Sequence, residues 1–230
     1  MGPVQVNWRP ARSPQRAPLE GATVILEPLD ADRHGDDLFR ASEGADATWS
    51  YLPYGPFASR EEFLTWLRRH AATTDPLAFA IVDRGPGAAL GITTLMSIVP
   101  EHGVIEIGHI WLSPRLQRTR QATDSIFIQA RYAFDVLGYR RLEWKCDAAN
   151  AASRRAAERF GFTFEGIFRQ HRVIKGRNRD TAWFSITDGE WPARRAAFEA
   201  WLSRDNFDDS GRQRLSLSDV RQGIDAAQGG

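Results

Sequence analysis

The segment 103-GVIEIGHIWLSPRLQRTRQATDSIFIQARYAFDVLG-138 decides the fold. It opens as a run of β-branched and aromatic residues ending at Pro114 and crosses a polar loop. It then places Ala122, Ile126, Ala130, Ala133 and Leu137 at spacings of three and four, the apolar stripe of an amphipathic helix that Gly138 stops. A strand therefore delivers the chain to a helix start near Thr119. The first turn of a helix leaves backbone N–H groups unpaired and carries the positive end of the macrodipole. Arg115, Arg118 and Arg120, with the hydroxyls of Thr119 and Thr123, add donors that suit a diphosphate. Without a ligand, the same loop is a solvated, arginine-rich turn.

The next block, 146-CDAANAASRRAAERFGF-162, reads as a short helix. Asn150 is its N-cap with Ser153 reaching back, Ala156, Ala157 and Phe160 are its buried stripe, and Gly161 is its left-handed end. After it, 163-TFEGIFRQHRVIKGRNRDTAWFSI-186 reads as two strands joined by a turn crowded with Arg169, His171, Arg172, Lys175, Arg177 and Arg179. Such a run is either a solvated turn or a site for an acidic partner.

Upstream, 22-ATVILEPL-29 is a short strand and 30-DADRHGDDLFRAS-42 a helix capped by Asp30. The helix 59-SREEFLTWLRRHA-71 starts with the capping-box pair Ser59 and Glu62 and presents Phe63, Trp66 and Leu67 on one face. Three runs, 77-LAFAIVD-83, 90-LGITTLMSIV-99 and 104-VIEIGHIWLS-113, separated by turn residues, form an antiparallel meander. The pattern is that of an α/β (α+β) domain over residues 21–204.

Length and composition agree. The 230 residues, 42% hydrophobic and with eight tryptophans, suffice for one substantial core. A lone cysteine, Cys146, excludes internal disulfides and Cys-based metal clusters and points to a reducing, cytoplasmic setting; no metal is expected. A net charge of +1 makes no electrostatic case for nucleic acid, and no apolar run is long enough to span a membrane. Residues 1–20, with Pro3, Pro10, Pro14 and Pro18 among Arg9, Arg12 and Arg16, read as a disordered leader with no secretory core. The polar tail 205–230 either adds a short element through Leu215, Leu217 and Val220 or stays loose.

These junctions resemble the GCN5-related N-acetyltransferase (GNAT) superfamily, in the branch similar to ribosomal-protein-alanine N-acetyltransferases. The resemblance covers about Gly21 to Trp201. It implies a mixed, mostly antiparallel sheet of six to seven strands flanked by four to five helices, with acetyl-CoA as co-substrate and an amine acceptor as partner. It is also compatible with a homodimer. The family pattern Q/R-x-x-G-x-G/A, whose amides hold the pyrophosphate, meets Gln117 and Ala122 here. Arg120 stands where glycine is usual: its side chain either obstructs the cofactor or pairs with a phosphate. By this resemblance Trp111, Leu112, Gln117, Arg118, Thr119, Arg120, Gln121, Ala122, Thr123, Asn150 and Ser153 meet the cofactor, and the basic hairpin is a candidate for its 3′-phosphate.

The resemblance puts a glutamate base at Glu106. Strand alternation sets Glu106, Gly108 and Ile110 on one face and His109 on the other, so the two meet in one cleft only across a bulge, which is a family feature near this position. Glu106 is otherwise a solvent-facing charge, and His109 a hydrogen-bonded structural residue. The family's usual acid, a tyrosine, is replaced by Ala157; the related branch implies Ser153 in that role. The loop carrying Trp49, Tyr51, Tyr54 and Phe57 lies where the family binds its acceptor. Its rings either clamp substrate or plug the core. The reading is an N-acetyltransferase acting on a protein N-terminus, an amino acid or a small molecule; the alternative is a non-catalytic CoA-binding or protein-interaction module.

Overall fold

The computed structural model describes residues 7–228. One sheet runs in the order β1-β2-β3-β4-β5-β6-β8-β7. Its strands are β1 (Leu19–Glu20), β2 (Val24–Pro28), β3 (Leu77–Asp83), β4 (Ala89–Val99), β5 (Val104–Leu112), β6 (Arg141–Asp147), β7 (Thr163–Ile174) and β8 (Arg177–Thr187). The helices are α1 (Ala31–Ser42), α2 (Arg60–Ala71), α3 (Arg120–Arg131), α4 (Ala151–Arg159), α5 (Trp191–Leu202) and α6 (Leu217–Gln228). The sheet exceeds the expected size by the two-residue β1, and the helix count by α6, which the tail forms against α5 with Leu217 buried.

Both faces of β3 are covered. On β3, Leu77, Phe79 and Ile81 join the core shared with α3 and α5, while Ala78, Ala80 and Val82 join the core beneath α1 and α2. That is why 77-LAFAIVD-83 is apolar without alternation. The caps form as the residues dictate. Asp30 accepts from the N–H groups of Asp32 and Arg33, and Ser59 accepts from that of Glu62. The Glu62 carboxylate accepts from Ala58 N rather than closing the capping box. The α3 stripe continues into a π-helical turn, Tyr132–Leu137, before Gly138 ends it at φ 79°.

Every neighbouring pair is antiparallel except β5–β6. A parallel pair needs a crossover, and α3 supplies it. Pairing between β5 and β6 is confined to Val104–Glu106 against Arg141–Glu143, although β5 continues to Leu112 and β6 to Asp147. The C-terminal halves of these strands therefore separate.

The stretch expected to be a disordered leader lies along the domain from Trp8 onward. Trp8 Nε1 donates to Glu101 O at 2.8 Å, Ala11 N to Pro100 O and Arg12 N to Leu137 O. The Arg12 guanidinium donates to Val136 O, and that of Arg16 to Ala71 O and Thr73 O. These arginines satisfy carbonyls at helix ends, which a Pro/Arg-rich composition does not reveal. Residues 1–6 of that leader, and Gly229 and Gly230 of the tail, lie outside the described residues.

The joint between α3 and the sheet is polar. The buried Asp124 accepts through Oδ2 from Thr23 N (2.6 Å), Thr23 Oγ1 (2.9 Å) and Val24 N (3.3 Å). Replacing it by Ala leaves these donors unpaired, so Asp124→Ala should lower unfolding free energy by about 3 kcal/mol in urea titrations. A loss within experimental error would show that the α3–β2 joint is held by apolar packing alone.

Candidate active site

Two helix N-termini face the gap between β5 and β6. β5 ends at Leu112 and its chain enters α3; β6 ends at Asp147 and its chain enters α4. At α3 the Thr119 hydroxyl caps Ala122 N at 3.1 Å, while the N–H groups of Arg118, Thr119, Arg120 and Gln121 have no partner among the described residues. These four donors and the helix dipole make an anion seat. Arg118 sits at φ 61°, and Gln117 Nε2 braces the loop by donating to Leu112 O at 3.0 Å. At α4, Asn150 Oδ1 accepts from Ser153 N at 3.0 Å.

Several residues expected at the cofactor are engaged elsewhere. Trp111 is 1% exposed, stacked on Trp49 at 4.7 Å, with Nε1 donating to Thr48 Oγ1. Only its main chain can meet a ligand. Thr123 is buried, its hydroxyl donating to Thr119 O and accepting from Arg159 Nη1, and Gln121 Nε2 donates to Asp83 Oδ2. The Arg120 guanidinium is held at the C-terminal end of α5. It donates to Leu202 O at the end of α5 and lies over the Phe207 ring, 4.6 Å from its centroid.

A cavity opens beside the gap, lined by β5 from Glu106 to Ile110, by β6 from Trp144 to Asp147, and by Asn150, Ser153, Tyr51 and the β7–β8 hairpin. Glu106 is 5% exposed, not solvent-facing. Its Oε2 meets Lys145 Nζ at 2.9 Å and accepts from Ser97 Oγ at 3.0 Å, leaving Oε1 without a hydrogen bond among the described residues. Lys145 also contacts Glu143 Oε2 at 2.7 Å and lies 4.3 Å from the Trp183 ring centroid. Neither Lys145 nor Ser97 stood out in the sequence; period-two spacing on β6 pairs Glu143 with Lys145 on one face but says nothing of Glu106 across the gap.

His109 takes φ 48° where the β4–β5 register shifts, and this bulge brings it to the same cavity as Glu106. Its Nδ1 is buried without a partner, so Nε2 is the ring nitrogen that can meet a ligand. Burial above all, and then Arg172 and Arg179, hold its pKa below the ordinary histidine value. The ring is therefore neutral near pH 7 and can accept a proton. Ser153 Oγ accepts from Trp144 Nε1 at 3.0 Å, and its own hydrogen faces the Cys146 sulfur in the free protein. Cys146 also lines the cavity, but burial raises its thiol pKa, which keeps it an inert wall.

Of the four loop aromatics, Tyr51 alone lines this cavity, its hydroxyl donating to Ala149 O at 3.2 Å. The others belong to the core. Trp49 is 1% exposed, Phe57 packs on it at 5.4 Å, and Tyr54 lies 4.5 Å from Trp66 and 5.6 Å from His109. Burial pushes the Tyr54 phenol pKa up. Among the described residues no three His, Cys, Asp or Glu side chains gather as a metal group, and no helix is long and apolar enough to cross a membrane.

A family model described as an acetyltransferase (GNAT) domain matches residues 23–163. The crystal structure of a GCN5-related N-acetyltransferase from Brucella melitensis is 52% identical, with a TM-score of 0.92 over 94% of this chain and 99% of that one. A structure titled as one of the "probable acetyltransferases (GNAT family)" from Chromobacterium violaceum ATCC 12472 is 48% identical, with a TM-score of 0.78 over 84% and 96% of the two chains. A Bacillus subtilis (strain 168) protein named "Putative ribosomal N-acetyltransferase YdaF" is 25% identical over 171 residues, 73% of this chain and 91% of that protein.

Two measurements test the local geometry. Arg120→Ala should cost about 1–2 kcal/mol of stability while leaving the salt dependence of acetyl-CoA binding unchanged; a shallower salt slope would mean that the guanidinium reaches phosphate. His70 is 7% exposed beside His109, and burial foremost, then His109, lowers its pKa from 6.5 to about 4. Between these values the unfolded chain binds the proton and the folded chain does not. Stability therefore falls as pH drops through that window, by about 3 kcal/mol at its lower end. His70→Phe should flatten this slope in urea midpoints taken above and below the window; an unchanged slope contradicts the assignment.

Proposed function

This chain belongs to the GNAT acetyltransferase family, and on that premise we propose that it transfers the acetyl group of acetyl-CoA to a primary amine by direct attack in a ternary complex. The observation that carries the proposal is the early end of β5–β6 pairing, which leaves a strand edge, two helix N-termini and a cavity with two proton-accepting groups at one opening. The residues present fit the co-substrate: four unpartnered N–H groups at Arg118–Gln121, with Arg115 and Arg118 beside them, suit its diphosphate. Acetyl-CoA brings an acetyl thioester activated for transfer.

The chain's own residues supply position and proton traffic. The main chain of β5 from Ile107 to Leu112, Trp111 included, offers its unpaired edge to an amide-bearing ligand, as β6 would have done. Glu106, through Oε1, draws in the amine and takes its proton directly or across a water, with neutral His109 as the second acceptor. Ser153, braced by Trp144, donates to the departing thiolate, and Asn150 sits at the same wall. A thiol pKa of about 8.5 asks little of that donor. Tyr51 borders the acceptor side.

The rival reading, a non-catalytic CoA-binding module, drew on Arg120 and Ala157. With the Arg120 guanidinium held at Leu202 and Phe207, the loss of that glycine is no argument for lost chemistry. A homodimer is proposed at β7, an edge strand that leaves Ile167, Phe168 and Val173 exposed. The buried free thiol of Cys146 supports a cytoplasmic setting.

Glu106→Gln separates chemistry from structure because Lys145 keeps Glu143 as a partner and the fold survives. The variant should lose roughly a hundredfold in kcat for thiol release while calorimetric affinity for acetyl-CoA stays nearly unchanged. Equal loss of both would give Glu106 a purely structural role.

A further inference from the structure

The β7–β8 hairpin carries a charge arrangement that the free protein does not explain. Arg172 and Arg179 are direct cross-strand partners. Like charges opposite one another on a sheet destabilise it. Neither guanidinium forms an ion pair or donates a hydrogen bond among the described residues, and Arg179 Nε is buried without a partner. The arrangement is built by the backbone. β7 bulges between Phe168 and Arg172, with Gln170 at φ 49° and its N–H held by Asp180 Oδ1 at 2.7 Å, and this turns His171 and Arg172 toward the cavity that Arg179 also lines. His171 Nδ1 is bonded to Thr181 Oγ1 at 2.9 Å.

The nearby acids do not cancel the pair. Glu106 and Asp147 face Arg179 without ion-pair contact. Glu106 is already matched by Lys145, and Asp147 Oδ1 accepts from Ala149 N at 2.8 Å. The arginines also sit apart from the proposed diphosphate seat, because the cavity lining includes no residue between Leu112 and Thr123. They share the cavity with Tyr51, Glu106 and His109. The hairpin tip leans on the acceptor loop, Lys175 Nζ donating to Trp49 O at 2.9 Å.

We propose that Arg172 and Arg179 form an oxyanion clamp that selects the acceptor, so that the amine this protein acetylates carries a carboxylate or a phosphoryl group close to its nitrogen. The inference rests on the acetyl-transfer reading and narrows it to small acidic amines. In the bound state the anion neutralises the opposed guanidiniums, while the amine lies toward Glu106 and His109. Two parallel N–H···O bonds from planar guanidiniums fix the distance between anion and amine, which an uncharged analogue cannot exploit.

Matched acceptors test this with the full chain and acetyl-CoA: α-amino acids against their amides for the carboxylate, phosphoethanolamine against ethanolamine for the phosphoryl group. At least one anionic member should exceed its neutral counterpart in kcat/KM by about tenfold or more, and Arg172→Met and Arg179→Met should each erase that preference while turnover of the neutral member persists. Equal rates within every pair, or a preference that survives both substitutions, overturns the proposal.

A second readout does not depend on transfer. With coenzyme A saturating, inorganic phosphate or acetate at constant ionic strength should raise the melting temperature of the parent protein but not of the Arg172→Met/Arg179→Met variant. Without anion, that variant should melt no lower than the parent, since a like-charge contact is gone; a lower value would mark the arginines as structural. Absence of any anion effect while coenzyme A binds defeats the clamp alone, whereas failure of coenzyme A to bind defeats the acetyl-transfer reading and leaves the anion effect to decide the clamp.

Discussion

Parallel pairing of β5 with β6 over only Val104–Glu106 is the constraint on which the rest of the molecule depends. Parallel strands require a crossover, so α3 must begin where β5 ends and α4 where β6 ends. Stopping the pairing early separates those ends. Unpaired strand edge and unpaired helix N–H groups are then exposed at one mouth, where a ligand can satisfy them. The rest of the sheet pairs continuously from β1 to β7, and both faces of β3 are packed into cores.

The seam is held by charge as well as by hydrogen bonds. Lys145 on β6 bridges Glu106 on β5 and Glu143 on its own strand, with Trp183 of β8 under its ammonium. Buried ion pairs contribute little net stability, because desolvation offsets their attraction. Their value here is positional: the bridge fixes the Glu106 carboxylate at the wall of the cavity. Helix dipoles, the Lys145 bridge and the arginine pair on β7–β8 are thus three charge zones, matching the diphosphate, the proton transfer and the acidic acceptor that we propose.

Much of the scaffold is legible in the chain because it is local. The α3 stripe, the caps at Asp30, Ser59, Thr119 and Asn150, and the glycine stops at Gly138 and Gly161 all follow from residues within one or two turns of each other. Non-local features are not legible. Arg120 finds Leu202 across 82 residues, and Arg12 finds Val136 across 124, partners that no local pattern announces. The aromatic loop misleads for a different reason. Hydrophobicity does not distinguish a ring that plugs a core from one that clamps a substrate; Trp49 is buried, Tyr54 and Phe57 are half-buried against it, and Tyr51 is exposed. Positive φ values at Ser97, His109 and Gln170 are equally silent, since none is glycine, yet they aim the side chains of the site.

The central claim, that the seam between β5 and β6 receives acetyl-CoA through main-chain donors, is tested most directly by residue-resolved amide hydrogen exchange with and without the ligand. Arg118 to Gln121 and the free edge of β5 from Ile107 to Leu112 should gain protection together. Binding that leaves these amides exchanging as before, with protection appearing elsewhere, would contradict the account.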